Sequence, residues 1–314
     1  GATFRFVPTV PWCARQKFVP KSQESAVQVT EKQNRSLLTD AQRAFFREHG
    51  YLVVENVVSA EDCARAAEAV WEFAGLDADD PTSWRKHHAA PGGFVNLVHH
   101  QALWNNRQNP KVHAVFSELL GTDKLWVSFD RCALKLPERA ELAAREDGAF
   151  LHFDVDVRTP PSSLQLQGVL YLVDTTEDMG GFQCVPRSHE WTAFFASNFD
   201  YFFRGGGTVR DLPKKRVAAR AGDLIVFNSL LLHGNGVNTS AKPRLAQYVT
   251  MFPAEPDNAA ARKSRIEAWQ TNGIPDDFYV PGKLFPPTEP HEAPGGPVAR
   301  LTSLGQRLLG LEPW

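Results

Sequence analysis

Near the start of the folded chain, apolar residues recur every three or four positions. Residues 40–49 and 59–74 both carry this pattern, which predicts two amphipathic helices. Thr39 or Asp40 stands where the N-cap of the first helix is expected, and Ser59 where that of the second helix is expected. The apolar run 51–54 between the two helices predicts a short strand. The chain therefore begins its fold with a helix–strand–helix unit.

From residue 125 onward the pattern changes to short β-prone runs separated by turn residues. The predicted strands cover residues 125–136, 150–157, 164–173, 181–185, 224–232 and 244–252. Helices followed by strands, without regular alternation, favour an α+β fold with a mainly β core. We expect an antiparallel barrel or sandwich and not a doubly wound sheet.

The same pattern divides the chain into three parts. Residues 1–36 are polar with scattered aromatics and are expected to form an N-terminal arm. Residues 37–254 are expected to form a single domain. Residues 255–314 are rich in proline and glycine, carry two further predicted helices, and are expected to wrap around that domain as an extension.

Composition excludes several classes of protein. The chain has 314 residues, of which 43% are hydrophobic and 22% charged, as in an ordinary globular protein. A formal net charge of −2 gives no reason to expect nucleic acid or an anionic membrane as a partner, and no apolar run reaches the length of a membrane span. The widely spaced cysteines form no CxxC motif and are expected to be reduced thiols of a cytoplasmic protein.

The most informative motif is His152-Phe153-Asp154. Because alternate residues of a strand point to the same face, His152 and Asp154 can bind one metal ion from one strand. His233, on a distant strand, would complete a set of two histidines and one carboxylate, which leaves coordination positions open and is typical of non-haem Fe(II) oxygenases. Arg244, on the next predicted strand, is suited to bidentate binding of a carboxylate.

Four segments follow one another between residues 40 and 254. They are FREHGYLVVENVVSAEDC, LHFDVD, GGFQCVPRSHEW and AGDLIVFNSLLLHGNGVNTSAKPRLAQYVTMF. Together they resemble the phytanoyl-CoA dioxygenase family of Fe(II)/2-oxoglutarate oxygenases, in which equivalent segments supply the opening helices, the His-x-Asp motif, a hairpin, and the second histidine with its arginine. Arg187 stands where the family usually has glycine.

The resemblance implies a double-stranded β-helix, which is a cupin-like jelly roll with flanking helices. It implies that His152, Asp154 and His233 bind Fe(II) and that Arg244 binds the C5 carboxylate of 2-oxoglutarate. The family's reaction consumes O₂, converts 2-oxoglutarate to succinate and CO₂, and oxidises an unactivated C–H bond. Halogenating relatives replace the carboxylate ligand with a small residue, so Asp154 argues against halogenation.

Further residues are candidate contacts of 2-oxoglutarate or substrate. Lys135 and Arg131 share a strand face and would contact 2-oxoglutarate or an acidic substrate, or else lie on a solvated strand edge. Asn235 would bind the cosubstrate or support the turn that follows it. The resemblance places Leu170 towards the cosubstrate, which makes Gln167 on the opposite face less suited to the site.

His99 and His100 are the candidate substrate contacts. They lie between the opening helices and the strand-rich half, where relatives place loops that cover the substrate. Neighbouring histidines point in different directions, so only one of the two is expected to face the pocket.

These observations predict an Fe(II)- and 2-oxoglutarate-dependent dioxygenase that hydroxylates a small organic molecule. Desaturation, epimerisation and ring closure begin with the same hydrogen abstraction and remain alternatives. A cupin-like metal- or ligand-binding protein without oxygenase activity is the alternative from another class. The complete triad and Arg244 argue against it.

Overall fold

The computed structural model describes residues 36–84, 93–138, 151–203, 209, 212–275, 292 and 295–314. Contacts along the chain separate two units, Gly1–Ser36 and Leu37–Trp314. The expected N-terminal arm therefore lies outside the described residues except for Ser36. The second unit contains all the elements described below.

The helices of the described ranges lie mainly before and after the strand-rich region. They are α1 (Asp40–His49), α2 (Ala60–Ala74), α3 (Pro81–Trp84), α4 (Gln101–Arg107), α5 (Pro110–Leu120), α6 (Thr192–Ser197), α7 (Phe199–Phe203), α8 (Ala259–Thr271) and α9 (Ser303–Leu309). Thr39 and Ser59 cap α1 and α2 as predicted, each accepting a hydrogen bond from a backbone N–H in the first turn. Gly50 ends α1 in the left-handed conformation that glycine adopts without strain.

The strands are short and pair in antiparallel fashion. They are β1 (Tyr51–Val54), β2 (Phe94–Val95), β3 (Leu125–Val127), β4 (Cys132–Lys135), β5 (Leu166–Tyr171), β6 (Phe182–Cys184), β7 (Lys215–Arg216), β8 (Leu224–Asn228), β9 (His233–Asn235), β10 (Arg244–Tyr248) and β11 (Met251–Pro253). A six-stranded sheet has the order β1-β8-β5-β10-β4-β2, a three-stranded sheet the order β7-β6-β9, and β11 pairs with β3. The mixture of helices and antiparallel sheets confirms the expected α+β class.

One predicted strand is wrong. In the described part of the 150–157 run, only His152 makes a β-bridge, and the chain bends at Asp154. The predicted strands 125–136 and 244–252 are also interrupted, because β3 and β11 pair with each other while β4 and β10 belong to the six-stranded sheet. Alternating apolar residues in these runs indicated extended chain but not where its pairing would stop.

A layer of apolar side chains lies between the two larger sheets. Tyr171 and Phe227 from the six-stranded sheet share one buried cluster with Phe182 and Cys184 from the three-stranded sheet. The opposite face of the six-stranded sheet belongs to a second cluster that includes residues of the helices. Because successive strand residues face opposite ways, each central strand contributes to both clusters.

A buried arginine connects the C-terminal helices to the strands. Arg265 on α8 is fully buried and donates hydrogen bonds to the carbonyl oxygens of Val127 (2.6 Å), Leu308 (3.2 Å) and Leu309 (3.1 Å). These bonds attach α9 and β3 to the same side chain. No helix in the described ranges combines the length and apolar character needed to span a membrane. Cys63, Cys132 and Cys184 are free thiols in the interior.

We predict that Arg265→Met lowers the free energy of unfolding by about 3 kcal/mol, because it leaves buried carbonyl groups without donors while roughly keeping the volume. Urea denaturation followed by circular dichroism measures this change. Arg307→Ala is the control, since Arg307 is exposed on α9, and it should change stability by less than about 0.5 kcal/mol. Equal effects of the two variants would contradict the anchoring role of Arg265.

Candidate metal centre

Two histidines distant in sequence are joined by their backbones. The N–H of His152 donates to the carbonyl of His233 (2.8 Å), and the N–H of His233 donates to the carbonyl of His152 (3.0 Å). This bridge extends the three-stranded sheet beyond β9, the edge strand that begins at His233. The two imidazole rings consequently lie side by side, with centroids 4.6 Å apart.

The bend after His152 directs a carboxylate towards both rings. Asp154 Oδ1 lies 3.4 Å from His152 Nε2, and Asp154 Oδ2 lies 3.3 Å from His233 Nε2. The three potential ligand atoms all lie within 4.8 Å of one another. Ligand atoms that share one ion at about 2.1 Å lie roughly 3 Å apart when they are at right angles, so this spacing suits a single metal ion.

The protonation states also suit metal binding. Burial lowers the pKa of His233 against the opposing attraction of Asp154, and its Nδ1 lies 2.8 Å from the carbonyl oxygen of Leu231, so a neutral ring that donates from Nδ1 leaves its Nε2 lone pair available to a metal ion. Burial alone would raise the pKa of Asp154, but attraction to His233 and a hydrogen bond from His152 lower it. Asp154 is thus ionised near pH 7, and its buried Oδ2 makes no well-aligned hydrogen bond within the described residues.

A cavity of about 130 Å³ adjoins these three side chains. Phe182 and Phe227 form an aromatic wall beside His233, with ring centroids 5.8 and 4.4 Å from the imidazole. Asn235 and Tyr248 form a polar wall and are joined by a hydrogen bond of 3.2 Å from the amide to the hydroxyl. The cavity is therefore apolar around the imidazole and polar towards β10.

Arg244 lies directly behind the polar wall. The side chain is fully buried, and its Nη2 donates to Asn235 Oδ1 at 3.3 Å. The Nε and Nη1 groups make no well-aligned hydrogen bond within the described residues, and the guanidinium carbon lies 5.4 Å from the centroid of the Tyr171 ring. A buried guanidinium with two donors that lack well-aligned partners is suited to a carboxylate ligand.

The other predicted cations differ in their surroundings. Arg131 lines the cavity, and its guanidinium lies over the Phe94 ring at 3.8 Å. Lys135 pairs with Arg244 across the β4–β10 ladder, but its ammonium group donates to the carbonyl of Gly236 at 2.5 Å. Both cations are buried, so the alternative of a solvated strand edge is wrong.

The expected orientation of Leu170 is also wrong. Its side chain belongs to the cluster on the helix side of the six-stranded sheet. Gln167 and Val169, on the opposite face of β5, line the cavity instead. Strand alternation identified the two faces of β5 but could not say which one packs against helices, and the assignment by resemblance chose the wrong face.

Neither candidate substrate histidine lines the cavity. His99 is buried, with Nε2 2.6 Å from the carbonyl oxygen of Gly273 and its ring edge-on to Phe129. His100 is exposed, and its Nδ1 accepts from the N–H of Ala102 at the start of α4. Both side chains thus act in local packing and capping, which corrects the expectation of substrate contact.

Sequence reasoning missed several residues of the cavity wall, among them Tyr248, Phe94 and the carboxylate Asp130. Tyr248 shares a strand face with Arg244 because the two positions are four residues apart on β10, and this parity could have identified it. Phe94 belongs to a two-residue strand that carries too little pattern to be predicted.

Comparison with known proteins now decides the family. The sequence profile of the phytanoyl-CoA dioxygenase family matches residues 46–246, a range that contains His152, Asp154, His233 and Arg244. The chain belongs to the phytanoyl-CoA dioxygenase family. The expectation of an enzyme of the non-haem iron, 2-oxoglutarate-dependent dioxygenase class is thereby confirmed.

Individual relatives of this family member are distant. A putative phytanoyl-CoA dioxygenase of Dictyostelium discoideum is 26% identical, over 71% of this chain and 79% of the relative. The crystal structure of the non-heme alpha-ketoglutarate-dependent epimerase SnoN from nogalamycin biosynthesis matches with a TM-score of 0.50 and 20% identity, over 68% of this chain and 83% of that one. The crystal structure of GlcNAc Inducible Gene 2 (GIG2) from Candida albicans matches with a TM-score of 0.64 and 14% identity, over 88% and 77%. These two likenesses show a shared fold.

We predict that Asp154→Asn weakens binding of Mn²⁺, used as a stable substitute for Fe²⁺, by at least about 100-fold, because the amide removes the anionic ligand. Isothermal calorimetry measures the affinity. Asp156→Asn is the matched control, since this nearby carboxylate pairs with Arg158 outside the triad. Similar Mn²⁺ affinities for both variants would contradict the assignment of the metal site.

Burial makes His99 a source of pH-dependent stability. Its pKa falls from 6.5 to about 4, chiefly through burial, so below pH 6.5 the unfolded chain binds a proton that the folded protein does not. Between pH 7 and pH 5, His99 should therefore remove about 2 kcal/mol of stability.

We predict that His99→Gln lacks this loss, so that its stability falls about 2 kcal/mol less than that of the wild type over the same range. Urea denaturation at the two pH values measures the difference. His100→Gln changes the neighbouring exposed histidine and should keep the wild-type pH dependence. A wild-type slope in His99→Gln would show that His99 is not the responsible group.

Proposed function

We propose that this protein uses Fe(II), 2-oxoglutarate and O₂ to oxidise an unactivated C–H bond of a small organic molecule, most often by hydroxylation, with release of succinate and CO₂. One observation carries the proposal: an ionised carboxylate lies between two histidines beside a cavity, and a buried guanidinium with unused donors lies behind the wall of that cavity. This combination provides a metal site and a carboxylate site in one centre.

His152, Asp154 and His233 would hold the iron on one face and leave the opposite positions open. When bound, iron and 2-oxoglutarate supply the oxidising chemistry, with O₂ as the oxidant. The protein therefore needs no side-chain base to remove the hydrogen. Its residues bind the ligands, orient them and limit access of water, and the rings of Phe182 and Phe227 serve this last role beside His233.

Arg244 would hold the C5 carboxylate of 2-oxoglutarate through Nε and Nη1. Its burial strengthens such an ion pair, because water does not compete for the donors. Asn235 occupies Nη2 and so orients the guanidinium, while Tyr248 orients Asn235. Lys135 would stabilise the turn after Asn235, because its ammonium group donates a hydrogen bond to the carbonyl of Gly236.

The arrangement of the two larger sheets relative to the metal site is part of the same proposal. We infer that the six-stranded and three-stranded sheets are the two walls of a double-stranded β-helix, with the metal site in the space between them. Residues 37–254 would form this dioxygenase domain and residues 255–314 its wrapping extension. The bonds of Arg265 and a hydrogen bond from the N–H of Thr302 to Gln108 support that division of roles.

Epimerisation, desaturation and ring closure are the second group of candidate reactions. They begin with the same hydrogen abstraction and would use the same iron and carboxylate sites. SnoN, which shares the fold, is itself an epimerase. Mass spectrometry of the product separates these outcomes, because hydroxylation adds one oxygen atom and the other reactions do not.

We predict that the Fe(II)-loaded wild type slowly forms succinate from 2-oxoglutarate in the presence of O₂. Arg244→Ala should raise the 2-oxoglutarate concentration needed for half-maximal turnover at least about 30-fold, because it removes the cation that pairs with the carboxylate. Succinate is measured by chromatography. Arg220→Ala, an exposed arginine outside the cavity, should behave as the wild type.

Calorimetric titration with 2-oxoglutarate is the measurement that can contradict the oxygenase proposal. Absence of both binding and turnover in the metal-loaded wild type would overturn the oxygenase proposal and favour a cupin-like binding protein. Equal 2-oxoglutarate requirements in Arg244→Ala and Arg220→Ala would reject Arg244 as the anchor while leaving the reaction class intact.

A further inference from the structure

A second, larger depression meets the metal cavity at two shared residues. This cleft has a volume of about 580 Å³, which falls in the range of small-molecule binding sites. Asp154 and Gln167 line both the cleft and the metal cavity. A molecule in the cleft would therefore lie next to the carboxylate of the candidate iron site.

The walls of the cleft combine neutral polar and apolar side chains. Ser163, Leu164 and Gln165, which precede β5, form an exposed wall. Phe252 on β11 and Asn258 at the cap of α8 form another part of the wall. A ligand here would meet hydroxyl and amide groups together with hydrophobic surface.

The charges of the cleft are of one sign. Among the described residues that line it, the ionisable side chains are Asp154 and Glu255, and no lysine, arginine or histidine is present. Glu255 accepts a hydrogen bond of 2.9 Å from the amide of Asn258, which fixes the carboxylate at the α8 end of the cleft. The cations of the centre lie elsewhere, because Arg131 lines the smaller cavity and Arg244 lies behind it.

We propose that this cleft is the substrate site and that it selects an uncharged or cationic small molecule with hydroxyl or amide groups along one side. The proposal rests on the proposed function and adds the class of substrate to it. Because a bound metal ion would neutralise Asp154, the carboxylate that an anionic group would meet in the cleft is Glu255, and no cationic side chain among the described lining residues offsets that repulsion. Acyl-CoA thioesters, with their phosphate groups, fall in the excluded class, and Glu255 is the specificity-determining residue.

The test uses four probes with the same apolar chain and different head groups: octyl glucoside, octyltrimethylammonium, octanoate and octanoyl-CoA. Calorimetry measures their binding to the full chain loaded with Mn²⁺ and 2-oxoglutarate, each probe below its micellar concentration. Saturating 2-oxoglutarate keeps octanoate away from the carboxylate site. We expect the neutral and cationic probes to bind at least about tenfold tighter than the two anions.

Two exposed positions allow the charge of the cleft to be reversed with little risk to the fold. Glu255→Lys and Gln165→Lys should each strengthen octanoate binding at least about fivefold and weaken octyltrimethylammonium binding, because each places a cation in the cleft wall. Glu68→Lys is the matched control, since it makes the same exchange at an exposed position of α2 outside the cleft. Its probe affinities should equal those of the wild type.

Three results would overturn the proposal: anionic probes that bind as tightly as the others, lysine variants that match Glu68→Lys, or no binding of any probe. The 2-oxoglutarate titration separates this failure from failure of the proposed function. If 2-oxoglutarate binds and any of these results is found, the substrate class is wrong and the oxygenase proposal stands. If 2-oxoglutarate itself does not bind, the proposed function fails.

Discussion

A reciprocal pair of backbone hydrogen bonds between His152 and His233 is the contact on which the centre depends. It places the two imidazoles side by side. It also fixes the backbone at His152, and the bend that follows brings the Asp154 carboxylate between the two rings. The bridge is reinforced from behind. The Ser188 hydroxyl accepts from the N–H of Leu232, and the His233 ring lies 2.8 Å from the carbonyl oxygen of Leu231. These bonds fix the backbone of the bridge and the orientation of the His233 ring, so that imidazole is held in position by protein alone.

Charge is separated across this centre. Arg244 lies on β10 and Lys135 lies beside it on β4. Arg131 lies just before β4, and Glu255 lies beyond β11 in the larger cleft. Asp154 is the carboxylate common to both regions. Asp130 also lines the smaller cavity, but the three cations outnumber it, so a dianionic cosubstrate is favoured there, whereas a neutral or cationic molecule is not repelled by Glu255 in the larger cleft. The distribution of charge would thus direct two ligands of different charge to opposite sides of one metal ion.

Local signals in the sequence were sufficient for part of this arrangement. Thr39 and Ser59 act through hydrogen bonds to neighbours in the chain, so helix starts could be predicted from residue type. The set of His152, Asp154, His233 and Arg244 could be proposed because their chemical types and order are distinctive. Which face of β5 lines the cavity could not be predicted, because alternation is symmetric between faces and only tertiary packing distinguishes them. The bend at Asp154 and the inward position of His99 likewise depend on contacts with distant segments, in the case of His99 with Gly273.

The candidate metal ligands and Arg244 belong to different sheets, so the distance between them depends on how firmly the sheets are joined. Tyr171 supplies that connection. Its hydroxyl on the six-stranded sheet accepts from the N–H of Phe182 at 2.8 Å and donates to the carbonyl of Val217 at 3.3 Å, next to β7. The same ring lies beside the Arg244 guanidinium. Because apolar packing alone tolerates small sliding whereas hydrogen bonds are directional, this hydroxyl fixes the spacing between the sheets more tightly than the surrounding side chains do. The geometry of the candidate centre therefore depends on a residue that lines neither the metal cavity nor the cleft.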